Sequence, residues 1–287
     1  MSNPKIPNRL AEKEPVITIV AAMNCEIKPI VDRLRLLKQC DKPFAVYKGE
    51  MHSHNIEVIV SGIGAVAMAA SVGWIAAQRP TAQRVWLNVG TAGHQTADLG
   101  MAFRVHASAD IFSERKHHVA MVAKSALATD QLLSINAPSN DYPDVGGIDM
   151  EAFAYFSAAY KFSSAELVES IKVVSDSPKH DIADLNAAKI SELIVPHVDN
   201  ILSLALAMHA LLSPQFEAAN LTLPELRATH SQRHQLGVLI AKLTALKAID
   251  DDLILAVNKS QDIQNLLTLL NTRLTEIEPC IEGAGHG

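Results

Sequence analysis

The chain has 287 residues, 48% of them apolar, and carries a net charge of -6 with acidic and basic residues mixed along its length. That is enough apolar material for one large core with a small second module attached, and no basic face is offered to nucleic acid or anionic lipid. The three cysteines, Cys25, Cys40 and Cys280, are too few and too scattered for a disulfide framework in so long a chain, and they fit a reducing compartment.

Met1 to Pro15 is polar, and no apolar stretch long enough for a signal sequence follows it. Val16 to Ala22 (VITIVAA) is short, β-branched and almost wholly apolar, the pattern of a strand buried on both faces of a parallel sheet. Similar runs recur at Ile56 to Val60, Val85 to Val89, Val119 to Val122 and Ile171 to Val174, with a further strand near Phe103. Helical spacing fills several gaps between them: Glu26 to Leu37, with Pro29 tolerated in a first turn, then Ala65 to Ala77 and Asp149 to Lys161. Ala187 to Leu212 reads as a long closing helix unless Pro196 kinks it, and apolar runs such as Ile201 to Leu212 fall below the roughly 20 residues of a bilayer span. The alternation of strand and helix predicts a three-layer α/β domain in a chain expected to be cytoplasmic and without a membrane partner.

Beyond Ser213-Pro214 the strand-like runs stop and leucine-spaced amphipathic stretches take over. The spacing predicts one helix from Thr222 and Pro224 through Leu246, and another capped by Ser260 through Leu274. The expected organisation is therefore a polar tail over 1–14, an α/β domain over 15–213 and a C-terminal helical appendage over 214–287.

Chemistry concentrates at strand ends. In open α/β sheets ligands bind beside the carboxyl ends of the strands, where distant residues converge. The turns Ser61-Gly62-Ile63-Gly64 and Asn88-Val89-Gly90-Thr91-Ala92-Gly93 let backbone amides approach a ligand. The first does not extend to Gly-x-Gly-x-x-Gly, so a dinucleotide fingerprint is absent. Glu26 and Asp176 are carboxylates at two separate strand ends and Glu151 is a third, a set suited to activating water on one side of a glycosidic bond and protonating the leaving group on the other. His117-His118 faces opposite ways on a strand and gives no metal pair, and no histidine is placed to activate Cys25.

The ordered set Ala-Met-x-x-Glu (22–26), Ser-Gly-Ile-Gly (61–64), Asn-x-Gly-Thr-Ala-Gly (88–93), Met-Glu-Ala (150–152) and Val-x-Ser-Asp (173–176) resembles the nucleoside phosphorylase superfamily, closest to the methylthioadenosine/S-adenosylhomocysteine nucleosidases, over about Val16 to Leu212. The resemblance implies a nucleoside phosphorylase-like fold with a central mixed sheet, no cofactor or metal, a purine-type nucleoside as substrate, and a homodimer. It implies that Glu26 deprotonates the attacking water, that Asp176 protonates or hydrogen-bonds the purine N7, and that Glu151 grips the ribose hydroxyls. Met150 would pack under the sugar. Gly62, Gly90, Thr91, Ala92 and Gly93 would line the ribose side, with Ser175 beside Asp176.

Two departures bear on substrate. Phosphorylases of the superfamily carry Arg-x-Gly-Ser-x-Gly where this chain has Asn88, so no guanidinium is placed for phosphate and hydrolysis is favoured. The family's base-stacking aromatic is expected near Ser125 to Thr129, where this chain offers only Leu127 for apolar contact, and the stretch between Phe103 and Val119 is short. A phosphate-dependent phosphorylase, a hydrolase of a larger nucleoside (of the futalosine or hopanoid-pathway kind) and a noncatalytic nucleoside-binding scaffold are the alternatives.

Overall fold

The computed structural model describes residues 14–113, 115–212, 229, 232, 235, 236, 239, 240, 242, 243 and 248–277. The chain divides into two compact units, Met1–Leu212 and Ser213–Gly287.

The first unit is built on a mixed sheet. Strand β1 (Val16–Ala21) runs parallel to β4 (His54–Val60) on one side and to β5 (Arg84–His94) on the other. Beyond β4, the strands β3 (Ala45–Met51) and β2 (Leu37–Cys40) continue antiparallel to the edge. On the far side β5 pairs with β10 (Val168–Asp176), which pairs with β6 (Ala102–Asp110), then β8 (Ala128–Ser134), then β9 (Gly147–Asp149), and β9 returns to β5 at Gly93 and His94. These five strands close a ring of hydrogen bonds, while the short β7 (Lys116–His118) hangs on β6.

Why the sheet is covered on both faces can be read along β1. Alternate side chains point to opposite faces, so Ile17, Ile19 and Ala21 join one apolar cluster and Val20 the other. The first cluster is roofed by α1 (Asn24–Leu34), α4 (Ala187–Ile194) and α5 (Val198–His209), and the second by α2 (Ala65–Gln78) and α3 (Ala152–Ala159). Each fully buried aliphatic side chain contributes on the order of 1.5–3 kcal/mol. The three-layer α/β architecture with a mixed sheet and a helical C-terminal segment is the expected fold.

Several boundaries differ from expectation. α1 starts at Asn24, so Pro29 is its sixth residue and lies outside the first turn. A proline there leaves the carbonyl four residues earlier, that of Cys25, without its helical donor, and Ser191 Oγ from α4 fills the gap at 2.7 Å. The helix stops at Leu34 because Arg35 turns left-handed at φ 52°, which sends Leu36 into the core and Leu37 into β2. No strand forms over 119–122: β7 ends at His118, and the next strand, β8, begins at Ala128, where none was expected. The helix expected from Asp149 begins at Ala152, because Asp149 belongs to β9 and its Oδ2 accepts the Ala152 amide at 2.8 Å.

Pro196 does break the closing helix, through a single tight turn at Val195–His197. Taken together, Ala187–His209 is nevertheless long and apolar enough to cross a membrane, with mean hydropathy 1.3, which corrects the expectation that every apolar run is too short. Ile194, Val198, Ile201, Leu204, Ala205 and Met208 all sit in the first core cluster, the position of a core helix.

In the second unit α6 (Asp251–Asn258) and α7 (Ile263–Ile277) share a core of Leu253, Val257, Leu266, Leu270 and Leu274. The cap of α7 is Asp262, whose Oδ1 accepts the Asn265 amide at 2.8 Å, while Ser260 bonds back to the Ala256 carbonyl at 3.3 Å. The helix expected from Thr222 lies mostly outside the described residues.

Candidate functional site

A cavity of about 250 Å³ opens at the carboxyl ends of β1, β5 and β10. Small-molecule sites span roughly 300–1,000 Å³, so this one suits a ligand of nucleoside size rather than a dinucleotide. Its wall brings together Glu26, Thr91, Ala92, Gly93, Met150, Glu151, Ser175 and Asp176, eight residues drawn from four separated segments.

Glu26 enters from the first turn of α1. It is 3% exposed. Its Oε2 accepts the Met23 amide at 2.9 Å, and its Oε1 accepts the Thr91 amide at 2.9 Å, with Thr91 Oγ1 at 3.3 Å. Burial pushes its pKa up from the ordinary value, against the opposing pull of the Lys172 ammonium and the amide donors.

Glu151 occupies the N-cap position of α3 and accepts the Gly64 amide at 2.6 Å. Burial first, and then the Asp149 carboxylate, raise its pKa to about 7, although Lys172 and the Gly64 amide pull the other way. Asp149 lines the same cavity. Its Oδ1 accepts Ser134 Oγ at 2.7 Å, and its Oδ2 lies 2.9 Å from Lys172 Nζ. Burial disfavours the Lys172 charge, but Asp149, Glu151 and Glu26 together outweigh it and hold the ammonium above the ordinary lysine value.

Asp176 ends β10. Ser175 Oγ donates to its Oδ1 at 2.6 Å and Tyr142 Oη to its Oδ2 at 2.8 Å. Gly93 is what makes room: a Cβ there would meet Asp176 Oδ2 at 2.4 Å and Tyr142 Cε1 at 2.6 Å.

Three expected residues are not on the wall. Gly62 (φ +84°) turns the chain after β4, and it is the Gly64 amide, two residues on, that reaches Glu151. Gly90 lies behind Glu26, where a Cβ would come within 3.0 Å of Oε1. Leu127 packs against the first core cluster, and the wall expected at Ser125 to Thr129 is supplied after β8 by Ile135, Pro138 and Ser139. The described lining residues include no aromatic ring. Asn88 is a strut between strands: its Nδ2 donates to the Val20 carbonyl at 3.0 Å and its Oδ1 accepts Ser170 Oγ at 2.9 Å.

Sequence reasoning missed Lys172 and Tyr142, and gave Asp149 only as the start of a helix. Lys172 interrupts the apolar run of β10, and a lone lysine inside an otherwise buried strand signals a charge partner in the interior. Among the described residues no group of three His, Cys, Asp or Glu is arranged to hold a metal ion.

By sequence the chain matches no family of known proteins and no curated relative. Its fold does have counterparts. The methylthioadenosine/S-adenosylhomocysteine nucleosidase of Neisseria meningitidis, solved with methylthio-immucillin-A, superposes with a TM-score of 0.52 at 17% identity, over 68% of this chain and 98% of that one. The futalosine hydrolase of Helicobacter pylori gives 0.52 at 13% identity, over 68% and 97%. The methylthioadenosine nucleosidase of Arabidopsis thaliana gives 0.52 at 17%, over 69% and 96%. The fold is therefore the nucleoside phosphorylase-like one that the motifs imply. In particular it is the fold of these nucleosidases, almost the whole length of which the chain accounts for.

Proposed function

We propose that the chain hydrolyses the N-glycosidic bond of a purine-type nucleoside, of the methylthioadenosine or adenosylhomocysteine kind. The observation that carries this reading is the charge of the cavity wall: Glu26, Asp149, Glu151 and Asp176 line it, and no lysine or arginine does among the described lining residues. Such a wall favours a sugar that becomes cationic as its bond breaks and disfavours a phosphate dianion. The likeness to solved nucleosidases agrees with it.

In this reading Glu26 accepts a proton from water as the water oxygen bonds to C1′ of the sugar. The C1′–N9 bond breaks and its electron pair leaves with the purine. Asp176 gives N7 a proton, so that the base departs neutral, or a hydrogen bond that spreads the charge the base takes with it. Glu151 accepts the ribose hydroxyls, and Met150 packs against the sugar. Apolar residues, Ile63, Ile135, Pro138 and Ile148 among them, line the rest of the cavity.

Incubation with methylthioadenosine, adenosylhomocysteine, adenosine and inosine, with and without phosphate, tests the reading. Free base released without phosphate is expected. A strict need for phosphate would move the chain to the phosphorylases, and nucleoside binding without turnover would make it a binding protein. A larger nucleoside is the second reading, favoured by the wall at Ile135 to Ser139, where no ring closes over the base, and by the likeness to a futalosine hydrolase.

A further inference from the structure

Tyr142 is a buried polar group beside the proposed chemistry that the reaction above leaves without a task. It comes from the connection between β8 and β9, is 8% exposed, and lies outside the cavity lining. Its ring fills the space that Gly93 leaves by having no side chain, and its hydroxyl donates to Asp176 Oδ2 at 2.8 Å. Two further glycines hold this connection in place. Gly146 takes φ +83°, and Gly147 lets β9 pass so close to β5 that a Cβ would stand 3.0 Å from the Gly93 carbonyl. A buried phenol left without an acceptor would cost about 1–3 kcal/mol, and Asp176 supplies that acceptor.

We infer that Tyr142 is a positioning residue for Asp176, holding the carboxyl group from behind so that its unoccupied lone pairs face the departing base. Each carboxylate oxygen has about two acceptor directions. Ser175 fills one on Oδ1 and Tyr142 fills one on Oδ2, which fixes rotation of the group. Because both neighbours donate, the contact left for the base is a lone pair that neither of them occupies. Burial and the adjacent Asp176 carboxylate push the Tyr142 phenol well up, so it stays a donor across the working pH range. The inference rests on the nucleosidase reading for the identity of the base, but the contact itself does not.

The test is a double-mutant cycle between Tyr142→Phe and Asp176→Ala, read on kcat, on KM and, by calorimetry, on the affinity for free adenine. A hydrogen bond to a charged group corresponds to about 10- to 100-fold. Y142F is therefore expected to lower kcat and adenine affinity by about that factor with KM little changed, and to do nothing further in the D176A background. An equal loss in both backgrounds, or no loss in either, overturns the inference. Should Y142F fail to fold, a fluorotyrosine at 142 keeps ring and donor; its more acidic hydroxyl is expected to change adenine affinity only while Asp176 is present, and an unchanged affinity overturns the inference. A wild type that binds adenine but cleaves no nucleoside sinks the hydrolase reading while the calorimetric cycle still decides on Tyr142. A wild type that does not bind adenine overturns both.

Discussion

Lys172 Nζ stands 2.9 Å from Asp149 Oδ2, and both side chains are almost wholly out of water. Glu26 and Glu151 act on the same ammonium, so a single cation serves three interior carboxylates. Removing one partner of a buried ion pair costs about 3–5 kcal/mol, because the other charge is left without compensation. Lys172→Met is expected to lose that much in urea unfolding at pH 8, and less at pH 5, where Glu151, its pKa raised to about 7, is protonated. A loss below about 1 kcal/mol at pH 8 would mean that the carboxylates do not depend on Lys172.

Glu151 makes stability depend on pH. Its pKa rises from 4.5 to about 7 on folding, through burial and then through Asp149, so the folded chain binds this proton more tightly than the unfolded one. The contribution to stability is complete below pH 4.5 and is lost as pH rises through about 7. At about 1.4 kcal/mol per pH unit the whole effect is on the order of 3 kcal/mol. Unfolding free energies at pH 4.5 and 8 are expected to differ by about that much more in the wild type than in Glu151→Gln; equal slopes would remove Glu151 as the source. If Glu151 accepts ribose hydroxyls as a carboxylate, KM also rises as pH falls below about 7, and this dependence disappears in the variant.

Gly93 carries a steric prediction. A Cβ would come within 2.4 Å of Asp176 Oδ2 and 2.6 Å of the Tyr142 ring, so one of the two must move. Gly93→Ala is expected to lower turnover by about 100-fold, in keeping with the sensitivity of catalysis to misplacement of about 1 Å. Circular dichroism should remain that of the folded chain. Wild-type turnover in G93A would show that Asp176 needs no fixed position.

In the second unit Asp250 accepts the Leu253 amide at 2.9 Å and pairs with Arg273 across the bend between α6 and α7. Asp250→Ala is expected to cost about 1 kcal/mol, the usual worth of an N-cap. Hydrogen exchange in α6 should report it as faster exchange of the first-turn amides, and unchanged rates would remove Asp250 as the cap.

The sequence is most informative where one force dominates. β1 is legible because a strand buried on both faces has to be apolar throughout, and Glu26, Glu151 and Asp176 are legible because strand ends in such sheets converge. Other features depended on long-range geometry. Pro29 sits deep in α1 because Ser191, 162 residues later, replaces the donor that the helix loses. β8 went unread because AlaThrAspGlnLeuLeuSer has polar residues on positions that the closed ring covers only in part. Tyr142 lies in a polar stretch of Pro, Ser, Asn and Asp that reads as a solvated loop, and nothing local says that its hydroxyl ends on Asp176. Leu127 is expected at the cavity from the family resemblance, but it precedes β8, and the wall is formed after that strand, from Ile135 on.

The ring formed by β5, β10, β6, β8 and β9 also limits how copies of the chain can associate. A strand flanked on both sides has no free amides to template another, so the half of the sheet holding the acids leaves an incoming chain little edge to extend. Among the described strands, the three-residue β7 and the four-residue β2 each have one partner, as do Ala128–Gln131 of β8 and Gly49–Met51 of β3. β2 is interrupted by a register shift after Lys38 and carries that lysine exposed. Such short edges are poor seeds for edge-to-edge growth, so the closed ring that assembles the cavity also leaves this sheet little with which to template cross-β growth.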